Sequence, residues 1–151
     1  MVFAKNFTLI IILVLFIGGF ITPLIKKKNI IKLFSLSLMG ISSVLALINL
    51  IYVNTHGAYV YRVGHWDSPW GIELKVGILE GIMTLLFTTI AFIILWYSTY
   101  NIEKEVKDTK ISLYYTLCSV LVGALIGIVC TNDLFNAFVF IEISTIAACG
   151  I

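Results

Sequence analysis

Apolar residues in this chain fall into five long blocks separated by short polar stretches. The blocks cover roughly residues 6–25, 31–53, 76–98, 111–130 and 133–151. Each is long enough to cross the hydrocarbon core of a bilayer, about 30 Å thick, as a helix with some tilt. No water is present there to satisfy backbone groups, so runs of this length must be helical. The pattern changes between the second and third blocks. Tyr59-Val-Tyr-Arg-Val63 and Ile72-Glu-Leu-Lys-Val76 alternate with a period of two, and the segment between them, Gly64-His-Trp-Asp-Ser-Pro-Trp-Gly71, is rich in turn formers. That arrangement predicts a short β-hairpin. The chain therefore reads as an all-α membrane protein. Residues 1–151 form a single transmembrane domain of five transmembrane helices, with a short outer β-hairpin between helices two and three.

Composition agrees with lipid as the solvent. Apolar residues make up 60% of the 151 and charged residues 12%, about half the charged share of a soluble domain. The first block ends at Pro23 and Lys26-Lys27-Lys28. It is longer than a secretory signal core and is followed by a stop-transfer pattern, so it is a retained helix. Lys26, Lys27, Lys28 and Lys32 lie between helices one and two, and Lys104, Lys107 and Lys110 between helices three and four; Lys5, Arg62 and Lys75 fall on the other side. The positive-inside rule then places the N-terminus outside and the C-terminus inside a cell (plasma) membrane. The net charge of +2 comes from lysines at helix ends and implies no nucleic-acid partner. Asn101–Lys110 reads as a polar inner loop of mixed charge.

Cys118, Cys130 and Cys149 lack metal or redox spacing and read as small packing residues. Ser119, Gly123 and Gly127 recur at intervals of four, which predicts a face of helix four closely covered by another helix. No nucleophile–base pair, glycine-rich phosphate loop, or haem or iron–sulfur ligand pattern is present, so no cofactor is expected. His56 and His65 belong to the outer loop and lack the carboxylate spacing of a metal site.

Glu142 stands out. It lies about 13 Å along a helix that starts at Asp133, near the middle of the membrane. A carboxylate there costs several kcal/mol unless paired, hydrated or protonated. It is either a proton-carrying or coupling residue, or a structural acid hydrogen-bonded inside the bundle. Thr145, at i+3, shares its face. No lysine or arginine of the five helices lies at comparable depth, so a partner cation must come from elsewhere. Glu80, one turn inside helix three, is near the outer surface and within reach of interfacial water or Lys75. Asn132 and Asp133 open helix five as cap residues, or as a polar outer entrance for ions. After Gly150-Ile151 there is no polar anchor, which suggests either a fragment of a longer chain or a bundle continued by a partner.

The string Thr131-Asn-Asp-Leu-Phe-Asn-Ala-Phe-Val-Phe-Ile-Glu142-Ile-Ser resembles the fifth helix of the antiporter-like membrane subunits. That family comprises the D subunit of Mrp-type Na⁺/H⁺ antiporters, the related subunits of membrane-bound hydrogenases and the proton-pumping subunits of respiratory complex I. Leu95-Trp-Tyr97-Ser98, Gly64-His-Trp66 and Gly71-Ile72 are also similar to it. The resemblance covers essentially the whole chain and corresponds to the N-terminal part of such a subunit. It implies a proton- or Na⁺/H⁺-translocating subunit of a multisubunit antiporter or redox-driven pump, with Glu142 matching the family's fifth-helix glutamate. It also implies other membrane subunits as partners, among them a chain supplying the remaining helices and the lysine partner of Glu142, besides membrane lipid. The family often has an aspartate near Val76-Gly77, which here is missing or displaced to Glu80. The rival expectation is a structural or assembly subunit of such a complex without an ion pathway of its own.

Overall fold

A computed structural model describes residues 6–63, 72–107 and 110–151. In chain order the elements are α1 (Phe7–Ile21), a 3₁₀ turn (Thr22–Leu24), α2 (Lys28–His56), β1 (Tyr59–Arg62), β2 (Glu73–Val76), α3 (Ile78–Glu105), α4 (Ile111–Cys130) and α5 (Leu134–Gly150). Among the described residues, four segments are long and apolar enough to cross a membrane: Phe7–Leu24, Lys28–His56, Ile78–Glu105 and Ile111–Cys130. The fifth helix, α5, has 17 residues, at the short end of what spans a bilayer. The expected all-α, multi-pass membrane architecture is present, with five α-helices and one small antiparallel sheet among the described residues.

Local sequence sets the helix ends. Pro23 sits in the 3₁₀ turn that closes α1, where its missing N–H costs least. Gly57 follows α2 at φ 84°, a conformation that favours glycine, and turns the chain into β1. The Gly77 N–H donates to the Glu80 carboxylate at 2.8 Å, so Glu80 satisfies one of the orphan donors where α3 begins. Most buried hydroxyls bond back to the carbonyl four residues earlier, as Ser42 does to Leu38, Thr88 to Thr84 and Ser119 to Tyr115. That local bond lets a small polar residue stay inside a bundle from which water is excluded.

In the bundle, α1 packs on α4 and α2, α2 on α3, α3 on α4, and α5 on α4. Ile11, Leu15, Met39, Leu95, Tyr115 and Ile126 make the core between them. Large apolar side chains such as Phe20, Leu33 and Ile93 point outward, as expected where the surroundings are acyl chains. The predicted seam on α4 is covered. A Cβ on Gly123 would sit 3.3 Å from Phe16 of α1, and one on Gly127 would sit 2.6 Å from Phe140 of α5.

Tyr59 pairs with Val76 and Arg62 with Glu73 in the hairpin, so its strands lie where the alternation put them. The expected turn, with His65, Trp66 and Trp70, lies outside the described residues. Two helices differ in extent from the sequence reading. Helices α2 and α3 are longer than the apolar blocks, and α3 runs to Glu105, taking in half of the expected polar loop Asn101–Lys110. Interhelical bonds explain the extension: Lys32 Nζ, on the second turn of α2, lies 2.6 Å from Glu103 and donates to the Thr99 carbonyl at 2.9 Å. His56 likewise ends α2 instead of standing in the outer loop, with Nδ1 2.7 Å from the Thr55 hydroxyl.

Candidate functional site

The start of α5 is fixed by the hairpin. Leu74 of β2 forms a β-bridge with Thr131. The Asn132 N–H donates to the Glu73 carbonyl at 2.9 Å, and Asn132 Nδ2 donates to the Glu73 carboxylate at 2.7 Å. Glu73 also accepts from Arg62 Nε at 3.2 Å. The Asn132 hydrogen bond, with Arg62 next, holds the Glu73 carboxyl below the ordinary carboxylate value. Asp133 caps the helix, accepting from the Phe135 and Asn136 N–H groups at 3.2 and 3.3 Å. Asp133 is thus a cap residue, one of the two roles the sequence offered for it, whereas Asn132 joins the start of the helix to Glu73 of the hairpin and does not cap it.

From there α5 divides into two faces. Asn136 and Ala147 are buried, with Phe140 and Ser144 half-buried between them, toward α4. Phe140 stacks on Phe16 at 6.4 Å between ring centroids. On the other side Phe138, Glu142, Thr145 and Cys149 are exposed. Glu142 sits midway along the helix, about 12 Å from its first residue. Among the described residues no hydrogen bond or ion pair reaches its carboxylate. Thr145 does share that face, but its hydroxyl donates to the Ile141 carbonyl at 2.8 Å, as does that of Ser144. Glu80 stays near the start of α3, bonded to Gly77 instead of Lys75. The candidate residues therefore separate into a polar group at the hairpin end and a lone mid-helix carboxylate.

Two buried polar groups escaped the sequence reading. Asn49, Thr8 and Tyr59 form a closed triad: Asn49 Nδ2 donates to Thr8 Oγ1 (3.0 Å), the Tyr59 hydroxyl to Asn49 Oδ1 (2.9 Å), and Thr8 Oγ1 lies 3.2 Å from the Tyr59 oxygen. Burial raises the Tyr59 phenol above its ordinary value, against the effect of those bonds. Asn136 is the other, with Nδ2 donating to Thr131 Oγ1 at 3.0 Å. Both asparagines lie within apolar blocks, where an amide must find a partner; that was the available signal.

No protein-family model matches the chain. Among curated proteins, the D subunit of the Na⁺/H⁺ antiporter of Bacillus subtilis (strain 168) is 28% identical over 145 residues, 95% of this chain and 29% of the relative. The chain is similar to the D subunits of these antiporters. It spans less than a third of the length of that relative and of the other curated relatives it matches. Among solved structures, the membrane-bound sulfane sulfur reductase, an archaeal respiratory membrane complex, contains a chain 27% identical with a TM-score of 0.83; the match covers 93% of this chain and 29% of that one. The Mrp complex from Dietzia sp. DQ12-45-1b shares the fold, at 18% identity and a TM-score of 0.80 over 99% of this chain and 27% of that one.

Proposed function

We propose that this chain is the N-terminal portion of an antiporter-like subunit. It would work inside a multisubunit membrane complex that moves protons, or exchanges Na⁺ for H⁺, with Glu142 in the ion pathway. The observation that carries this reading is a carboxylate at the middle of an apolar helix, on a face that no other part of the described chain covers. In lipid such a group demands a cation, water or a proton. Further helices covering that face would supply the first two. The resemblance to antiporter subunits assigns the cation to a lysine. A nearby ammonium favours the carboxylate, and its withdrawal favours the acid, so movement of the partner charge would drive uptake and release of the proton. Asn132, Asp133 and Glu80 are support at the hairpin end in this reading, and Thr145 lines the same stripe as Glu142.

The function is tested by purifying the chain from membranes with its partners. The intact complex, in proteoliposomes, should exchange Na⁺ or protons, while the 151-residue chain reconstituted alone should not; comparable flux from the chain alone would contradict the reading. We further propose that the lysine-rich end faces the cytoplasm and the hairpin faces outward in the plasma membrane. A membrane-impermeant thiol reagent added from outside should then label a cysteine placed at Val60 in the hairpin but not one at Glu105. The opposite pattern would reverse the orientation.

A further inference from the structure

Helices α2 and α3 leave a groove between them on the outside of the bundle. It holds about 500 Å³ and is lined by Leu33, Leu36, Ile41 and Val44 of α2 and Phe92 of α3. Gly40 forms part of its floor, and a Cβ there would lie 3.3 Å from the Phe92 ring. Trp96 stands edge-on to Phe92, with 5.7 Å between ring centroids, and steadies that wall. The Ser37 hydroxyl donates to the Phe34 carbonyl at 2.8 Å, so it makes no polar demand on a guest. At the lysine-rich end the groove runs into a cleft of about 330 Å³ through two shared side chains, Leu33 and Leu36. Asn29, Lys32 and Thr99 complete that cleft. One continuous depression is therefore polar and cationic at one end and apolar along the rest.

Its length and depth suit one leaflet. From Leu33 to Val44, α2 rises about 16 Å, half of the hydrocarbon core. Trp96, Tyr97 and Tyr100 flank Thr99 and are exposed, as rings are at the headgroup level. Charge selects the head. The two connections at this end, with the helix turns beside them, carry seven lysines against three acids, Glu103, Glu105 and Asp108. Glu103 lies 2.6 Å from Lys32 and offsets part of its charge, but Lys26 and Lys27 stand exposed just before α2. The dipole of α2 adds to the attraction, since its N-cap, Lys27, makes no side-chain bond there. An anion with an apolar tail answers both ends of the depression. A partner helix follows a seam across the whole core, whereas this groove stops half-way. We propose that the groove binds an anionic phospholipid, its phosphate at Asn29 and Lys32 and an acyl chain along Leu33, Gly40, Val44 and Phe92. The groove lies on α2 and α3 and Glu142 on α5, so the lipid site and the ion pathway stand or fall separately.

The test places the intact complex in phosphatidylcholine nanodiscs containing a trace of phosphatidylglycerol with a photoreactive acyl chain. On illumination, the lipid should attach to α2 between Leu33 and Val44 or to Phe92, as mapped by peptide mass spectrometry. The same trace of photoreactive phosphatidylcholine should label that groove far less, and added plain phosphatidylglycerol should suppress the labelling. Ser37→Leu, which fills the groove from its exposed side, should abolish it. Replacing Lys26 and Lys27 together by glutamine should weaken it by about tenfold. Labelling confined to other helices, or equal for the two lipids, would overturn the proposal. So would unchanged labelling in both variants, or a density map of the complex with a protein helix seated in the groove. The comparison of the two lipids on the wild type decides the matter even where a variant fails to assemble.

Discussion

A carboxyl group close to hydrocarbon survives by being paired, hydrated or protonated, and five of the described carboxylates divide by that choice. Glu73 has Asn132 and Arg62, Glu103 has Lys32, Glu80 has the Gly77 N–H, and Asp133 has two N–H groups of its own helix. Glu142 has none of these among the described residues. Some of this could be read from sequence because it is local. The Asp133 cap and the Glu142 position follow from spacing alone. The bonds from Asn132 to Glu73, 59 residues away, and from Lys32 to Glu103, 71 residues away, depend on how helices and hairpin meet, which spacing does not encode. Removing the cap should be felt at the start of α5. Asp133→Ala is expected to destabilise the chain by about 1 kcal/mol, read as a lower melting temperature of the complex, while Asp133→Asn should lose much less. Equal losses for the two would mean that charge, not capping, matters there.

At the scale of elements, the decisive seam is the small-residue face of α4. Gly123 admits Phe16 of α1, and Gly127 admits Phe140 of α5, which in turn stacks on Phe16. The four-residue spacing announced that face, but the identity of the covering helices required the fold. Helix lengths were legible only in part. Hydropathy marks where a helix enters lipid, whereas the ends of α2 and α3 lie beyond it, held by charged and polar bonds such as Lys32 to Glu103. The seam gives a direct prediction. A side chain at Gly127 meets the Phe140 ring at 2.6 Å and must push it off Phe16, so Gly127→Val should cost roughly 1–3 kcal/mol by overpacking. The loss should appear as release of α5 from α4, measured as faster proteolysis or cysteine labelling of α5 while the remaining helices stay protected. Unchanged protection of α5 would show that the seam does not hold it.

For the whole molecule, the packing order leaves α5 at the edge of the bundle, attached through α4 and tied at one end to the hairpin. Its outward stripe carries Glu142, and in the proposed function further helices would join the chain on that side. Composition and hydropathy were enough to predict a membrane bundle. They could not show which faces are covered, since lipid-facing and helix-facing residues are equally apolar. In the proposed function Glu142 takes part in ion movement instead of merely filling a joint between helices. The most direct measurement is coupled ion exchange by the assembled complex carrying Glu142→Gln, normalised to the amount of complex present. The amide keeps volume and hydrogen bonding, so assembly should be near normal while exchange falls by about tenfold or more, with Glu142→Asp retaining part of the rate. Exchange at the wild-type rate per complex in Glu142→Gln would contradict the account. So would a loss confined to assembly, the result expected when a structural buried pair is broken at about 3–5 kcal/mol.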